Sequence, residues 1–278
     1  MALIQRAPAT VDYRMKPPGF GALARGPHQC APQFRSLWDG LAAAWPFYPG
    51  DPNDSDASVP DLLVDHPLSI SEWSAVPCGY IQAPFGVAYQ HERNASGDWC
   101  QVYNAYDQTP AGYPELTSNT DGGSILWYGW FMEFPTVGGG MRLFANEVYA
   151  ANGAVRLRWL QSSDNFDIVG ENSSGTEVFN AYMSNPYSAG DSGCVVGTYP
   201  PGSTGTVRIF LDGAEGTSDT MGALNATYNE TYCSGFYSST TGDSRIANYL
   251  AAAWNRELTV AEARLVSRFP WGPFWRWA

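Results

Sequence analysis

Gly190-Asp191-Ser192-Gly193-Cys194 is the stretch whose residue types come nearest to a catalytic motif. A serine on such a turn becomes a nucleophile when a histidine base and a buried aspartate reach it. His91 is the one histidine at a plausible spacing, and the Ala-x-His-Cys context of a protease base is absent. A Gly/Asp/Ser turn between strands is the simpler reading. Two oxygen-rich segments, Asn119-Thr120-Asp121-Gly122-Gly123 and Asp164-Asn165-Phe166-Asp167, have the ligand types of a calcium loop, although Asx turns use the same residues. The five cysteines, Cys30, Cys78, Cys100, Cys194 and Cys233, show no C-x-x-C spacing, and His28, His66 and His91 are not clustered with them. A zinc site is not expected. Trp99, Tyr103 and Tyr106, and Tyr228, Tyr232 and Tyr237, form aromatic groups whose faces can stack on sugar rings. Trp99, Tyr103 and Tyr232 are the candidate glycan contacts, although most of an aromatic content of 14% must serve a core.

The elements that would position these residues are strands. Ser124–Phe134 is a long, nearly unbroken apolar and aromatic run, as in a strand buried on both faces. Val155–Leu160 alternates, with Arg156 and Arg158 on one face and Val155, Leu157 and Trp159 on the other. Met141–Phe144, Glu177–Met183 and Thr206–Leu211 continue the pattern. The convincing helix runs from Thr259 to about Arg268. Thr259 and Glu262 make a capping box, Leu265, Val266 and Phe269 an apolar stripe, and Pro270 a stop. The aromatic tail Trp271–Trp277 either tucks back onto its own domain or forms an exposed docking patch.

Composition agrees. Charged residues make up 15% of the 278, with 29 Gly, 20 Pro, 11 Trp and 16 Tyr, as in a β-protein with long loops. The net charge of −12 argues against nucleic acid and anionic membrane surfaces as partners. Met1–Pro8 contains no apolar segment of the secretory type. The odd, scattered cysteines then favour free buried thiols, with a disulfide or two left open. The four sequons at Asn94, Asn172, Asn225 and Asn229 read as chance matches.

Several of these segments together resemble the laminin G-like domains of the concanavalin A-like superfamily. Val207-Arg208-Ile209-Phe210-Leu211-Asp212-Gly213 resembles its strand ending in Asp-Gly. Trp254-Asn255-Arg256-Glu257-Leu258-Thr259-Val260-Ala261-Glu262 and Phe269-Pro270-Trp271 resemble its closing strand and helix. Leu41–Phe47, Phe85-Gly86-Val87-Ala88-Tyr89 and Ser124–Phe134 are similar to earlier strands, whereas Asp61-Leu62 and His66-Pro67-Leu68 keep only part of the family's motif. The resemblance covers about residues 38–274. It implies an all-β antiparallel jelly-roll sandwich over 37–278, with one short C-terminal helix. Glycosidases of the superfamily carry Glu-x-Asp-x-(x)-Glu on one strand, so that alternation puts the carboxylates on one face. The triplet is absent: Glu133 stands alone on its strand, and Glu171 and Glu177 flank a loop. No catalytic residue and no cofactor is expected, calcium at a sandwich rim being the open possibility.

Residues 1–36 differ from the rest. They hold Pro8, Pro17, Pro18, Pro27 and Pro32, with Arg6, Arg14, Lys16, Arg25 and Arg35, and no sustained apolar period. Such an arm cannot fold alone. It is expected to lie along another subunit through Leu3, Ile4, Tyr13, Met15 and Phe20. The ending of the chain resembles those of single-domain virion proteins of tailed bacteriophages. That resemblance implies a non-enzymatic capsid decoration or head-fibre subunit, made in the host cytoplasm and carried on the virion. Its partners would be the major capsid protein or other virion proteins, and further copies of itself in a homo-oligomer. The alternatives are a carbohydrate-binding adhesin or tail-fibre module recognising host-surface glycans, and a glycan-active enzyme with unrecognised catalytic residues.

Overall fold

The computed structural model describes residues 23–47, 58–59, 61–63, 68–73, 79–93, 99–104, 122–135, 140–147, 154–224, 230–236 and 244–276. The strands are β1 Leu41–Pro46, β2 Ser58–Val59, β3 Leu68–Trp73, β4 Gly79–Ala83, β5 Gly86–Arg93, β6 Trp99–Asn104, β7 Gly123–Glu133 and β8 Gly140–Glu147. They continue with β9 Ala154–Leu160, β10 Asn165–Glu171, β11 Glu177–Ser184, β12 Ser192–Tyr199, β13 Thr206–Leu211, β14 Ala214–Thr220, β15 Glu230–Phe236 and β16 Ser244–Trp254. The α-helix, α1, is Val260–Arg268. It begins at the expected capping box, since Thr259 Oγ1 accepts from Glu262 N and Glu262 Oε2 accepts from Thr259 N. No described helix is long and apolar enough to cross a membrane.

All pairing is antiparallel and forms two packed sheets, the jelly-roll sandwich expected. One runs β2-β3-β6-β15-β8-β9-β10-β11; the other runs β4-β5-β16-β7-β12-β13-β14, with β1 beside the second half of β16. A single register pair, Arg93↔Trp99, joins β5 to β6. At the far side β14 covers the edge of β11 with side chains. Asp219 Oδ2 accepts from Asn180 N at 2.7 Å, and Thr217 Oγ1 accepts from Tyr182 N at 2.8 Å. The free edge of β11 is thereby given hydrogen-bond partners instead of being open to another strand.

The apolar continuity of β7 has a direct cause. Its odd positions Ile125, Trp127 and Phe131 enter the core between the sheets, with Trp45, Phe144, Leu157, Phe166 and Ile209. Its even positions Leu126 and Tyr128 lie under a second apolar layer on the outer face, made by Phe34, Leu37, Trp254, Val266, Trp271 and Phe274. Both faces are therefore buried. Trp127 is fully buried, as expected of a core anchor. Trp130 is only half-buried on the outer face, and its indole N–H donates to Gly190 O at 2.9 Å. The aromatic tail does tuck back: Trp271 and Phe274 are fully buried.

The described part of the N-terminal segment, 23–36, is not an extended arm. Leu23 bridges Trp275, Ala24 N donates to Phe274 O at 2.8 Å, and Pro32–Trp38 winds into a 3-10 helix that buries Phe34 and Leu37. The Phe34 ring lies so close to Gly272 that a Cβ there would come within 2.3 Å of it. The folded body thus reaches back at least to Leu23. Residues 1–22, with Leu3, Ile4, Tyr13, Met15 and Phe20, lie outside the described residues. Cys30, Cys194 and Cys233 are free and buried, and burial pushes all three thiols up.

Candidate glycan-binding site

Five distant parts of the chain converge on the outer face of the β5-β16-β7-β12-β13 sheet, where the helical cover ends. They are the β4–β5 turn with Pro84 and Phe85, Tyr128 of β7, Gly190-Asp191-Ser192 entering β12, Asp212 after β13, and Pro270 after α1. Together they line a cavity of about 280 Å³. That volume sits at the small end of ligand pockets.

The aromatic wall is set by a β-bulge. The register between β16 and β7 shifts between Asn248 and Leu250. Tyr249 and Leu250 therefore both face the outer layer. The Tyr249 ring lies 4.9 Å from Tyr128 and 6.2 Å from Phe85, centroid to centroid. Its hydroxyl accepts from Phe85 N at 3.4 Å and lies beside Ser192. Burial pushes the Tyr249 phenol up.

The polar side comes from two strapped turns. Gly190 N donates to Phe131 O at 2.7 Å, Phe131 N to Asp191 O at 2.8 Å, and Ser188 N to Asp191 Oδ2 at 2.8 Å. Gly193 is required here, because the Tyr187 ring lies 2.2 Å from where a Cβ would stand. Asp212 and Gly213 both have positive φ, 47° and 89°, the geometry of a tight type I′ hairpin turn. Asp212 Oδ1 accepts from Cys194 N at 3.1 Å, and Gly213 N donates to Ser267 Oγ at 3.0 Å. Burial, and then the Asp212 charge, push the Tyr187 phenol far up, so it stays protonated.

This arrangement offers flat aromatic faces, carboxylate acceptors and a hydroxyl, but no protease relay. Ser192 pairs with Trp130 on the outer face. His91 is fully buried on the inner face of the same sheet, with its Nε2 2.8 Å from Asn248 Nδ2. Partners on opposite faces of one sheet cannot meet. The carboxylates weighed as glycosidase candidates are engaged elsewhere: Glu171 with Arg156 at 2.6 Å, Glu177 with Arg158 at 3.8 Å and Glu133 with Arg245 at 3.9 Å.

The residues singled out for glycan contact lie in another part of the fold. Register sets Tyr103 opposite Tyr232 and Ser69, and Trp99 opposite Trp73 and Arg93. Of the calcium-loop candidates, 119–121 lie outside the described residues. Asp164 Oδ1 accepts from Trp159 Nε1 at 3.1 Å and Asn185 Nδ2 at 2.9 Å, and Asp167 pairs with Arg158 at 2.8 Å. Burial raises the Asp167 carboxyl, with Arg158 opposing the shift. No group of three or more His, Cys, Asp or Glu gathers among the described residues.

Sequence reasoning saw every fragment of the cleft, each as a mark of the fold: Phe85 in a strand motif, Tyr128 in an apolar run, Gly190–Ser192 as a turn, Asp212 as a strand end and Pro270 as a helix stop. No local signal in them announces that they meet.

No protein-family model matches the chain, and no curated protein does. Solved structures do. Botulinum neurotoxin type C, which depends on two ganglioside molecules to get into cells, superposes with a TM-score of 0.58 at 11% identity. The match covers 82% of this chain and 50% of that one. The binding domain of botulinum neurotoxin DC, solved with rat synaptotagmin II, gives 0.57 at 10% identity, covering 82% and 51%. A Trypanosoma rangeli sialidase gives 0.50 at 13%, covering 82% and 32%. The chain spans about half the length of the neurotoxin chains it matches. At these identities the likeness establishes the fold, an all-β antiparallel sandwich.

Proposed function

We propose that this protein is a non-enzymatic carbohydrate-binding module, and that the cleft between the β4–β5 turn and the Asp212 turn holds the sugar. The observation that carries the reading is the convergence of Phe85 and Tyr128 with Asp191, Asp212 and Ser192 around one cavity. Aromatic faces take the C–H side of a pyranose, while carboxylates and hydroxyls take its O–H groups. The ganglioside dependence of the similar neurotoxin supports the same ligand class. Phe85 is the residue to test, since it is half-buried and stands on a turn outside the strands. Phe85→Ala is expected to weaken binding on a glycan array and in calorimetry by about ten-fold or more, a loss of about 1.4 kcal/mol. Its melting curve should stay close to wild type. Full binding by Phe85→Ala would reject the cleft, and release of reducing ends from a bound glycan would reject the non-enzymatic reading.

A second reading adds to this one. Residue 23 is pinned to the C-terminal tail, and residues 1–22 precede it in the chain. That segment carries Arg6, Arg14 and Lys16 against one acid, Asp12, on a chain of net charge −12. In this reading it anchors the sandwich to a virion shell, through Leu3, Ile4, Tyr13, Met15 and Phe20 on a capsid protein or a further copy. Deletion of 1–22 is expected to abolish co-sedimentation with capsids and to leave glycan binding unchanged. Capsid association that survives the deletion would sink the anchoring role.

A further inference from the structure

We propose that the cleft recognises a single sugar ring at the non-reducing end of a glycan, and not a run of residues inside a chain. This rests on the carbohydrate reading of the same site and narrows it to terminal residues.

The cleft is a pit sunk onto one buried ring. Tyr128, only 3% exposed, lies at its bottom. Across the strands, Phe85 stands on the β16 side, its ring 6.2 Å from that of Tyr249. Asp212 stands on the β12 side. Its Oδ1 accepts from the backbone N of Cys194, the register partner of Tyr128. Along β7, Ser192 pairs with Trp130, two residues beyond Tyr128, and the Trp130 indole ties down the Gly190 carbonyl. In the other direction Leu126 lies under the helical cover. Pro270 is where that cover meets the cleft, next to the fully buried Trp271.

A polysaccharide threaded through a site needs a trough with an entry and an exit. Here each direction along the sheet from Tyr128 runs into a turn or into the helical cover. The volume of about 280 Å³ lies just under the range in which sites for drug-sized ligands begin. It takes one pyranose with its substituents, and a second ring has to stand above the rim. A glycan fixed to a surface is attached by its reducing end. The residue free to enter a pit is then the terminal one at the other end.

The walls are fixed by the fold itself. Phe85 N donates to the Tyr249 hydroxyl at 3.4 Å, Ser188 N to Asp191 Oδ2 at 2.8 Å, and Gly213 N to Ser267 Oγ at 3.0 Å. Opening the pit into a trough would break these ties. Holding the walls in place beforehand also reduces the entropy lost on binding.

The test is a glycan array probed with the full chain. The array carries linear glycans of one to four residues, ending in galactose, mannose, N-acetylglucosamine, fucose or N-acetylneuraminic acid. The bound glycans are expected to share their terminal residue and to differ in their interiors. Calorimetry on the bound set should place the one-residue glycan within about three-fold of the four-residue glycan with the same end. Bound glycans that share an interior sequence under different ends would overturn terminal recognition. So would affinity that climbs about ten-fold or more from one residue to four. Either result leaves the carbohydrate reading standing. If no glycan of any length binds, both fall.

Discussion

Asn248→Leu is expected to destabilise the protein by about 3–4 kcal/mol, although it removes a polar group from an apolar core. Asn248 lies on the inner face of β16 and links two large side chains. Its Oδ1 accepts from Trp127 Nε1 at 2.6 Å, which turns its Nδ2 toward His91 Nε2 at 2.8 Å. The network assigns Nε2 as the acceptor, so the imidazole carries its proton on Nδ1. Leucine would strand a buried indole N–H and remove the His91 bond together. The indole has no room to move away, because the Trp127 ring lies 2.2 Å from where a Cβ on Gly129 would stand. Trp127→Phe in the Asn248→Leu background should recover part of the loss, since it removes the stranded donor. Trp127→Ala, which empties the site, should cost about 3–5 kcal/mol. Urea unfolding with matched slopes measures all of these. An unchanged midpoint for Asn248→Leu would show that the network contributes nothing to stability.

Arg256→Ala is expected to cost a comparable amount, about 3–4 kcal/mol, and to free the Pro32–Trp38 turn from the body. Arg256 holds both oxygens of Glu262 at 2.9 Å. It also donates to Asp39 O at 2.7 Å and Ser36 O at 2.8 Å. Trp254 Nε1 to Leu37 O, at 2.6 Å, adds a second tie. Lysine, a point donor without the planar fork, should restore less than half. The clamp also has an acid signature. Burial pushes the Glu262 carboxyl up, but hydrogen bonds from Arg256, Thr259 and Ser36 outweigh it and hold the group at about 2. A folded value below the unfolded one means the stabilisation is complete above the ordinary value of 4.5 and lost as pH falls from there toward 2. Wild type should therefore lose stability across that window more steeply than Glu262→Gln. Identical slopes in the two proteins would show that the Glu262 charge adds nothing.

The same clamp shows how far the sequence could be read. Trp254–Glu262 carried the resemblance that implied a β-sandwich, and Thr259 with Glu262 placed the helix start to the residue. Of the partners on the other side, Ser36 falls in the segment read as an extended arm, and Leu37 and Asp39 at the start of the sandwich. Prolines and the lack of an apolar period made that segment look unstructured. Its order comes from Phe34 and Leu37 fitting a surface built more than two hundred residues later, and no local pattern encodes such a surface.

What the sequence by itself determined is what short-range physics can carry: alternation on β9, double burial of β7, the capping box of α1 and the turn chemistry at Asp212-Gly213. These sufficed for an all-β sandwich with one short helix. The tertiary structure alone decided which faces meet. Strand pairing across long separations put Ser192 and His91 on opposite sides of one sheet, so a catalytic motif became a turn. A one-residue bulge in β16 put Tyr249 and Leu250 on the same face, with Tyr249 packed behind Phe85 and Tyr128, and a shift of that size changes the facing of a side chain without leaving a trace in the local pattern. Phe85, Tyr128, Asp191, Asp212 and Pro270 each satisfy a local rule of the fold, and only the packing of turn, strand and helix makes them neighbours around one cavity.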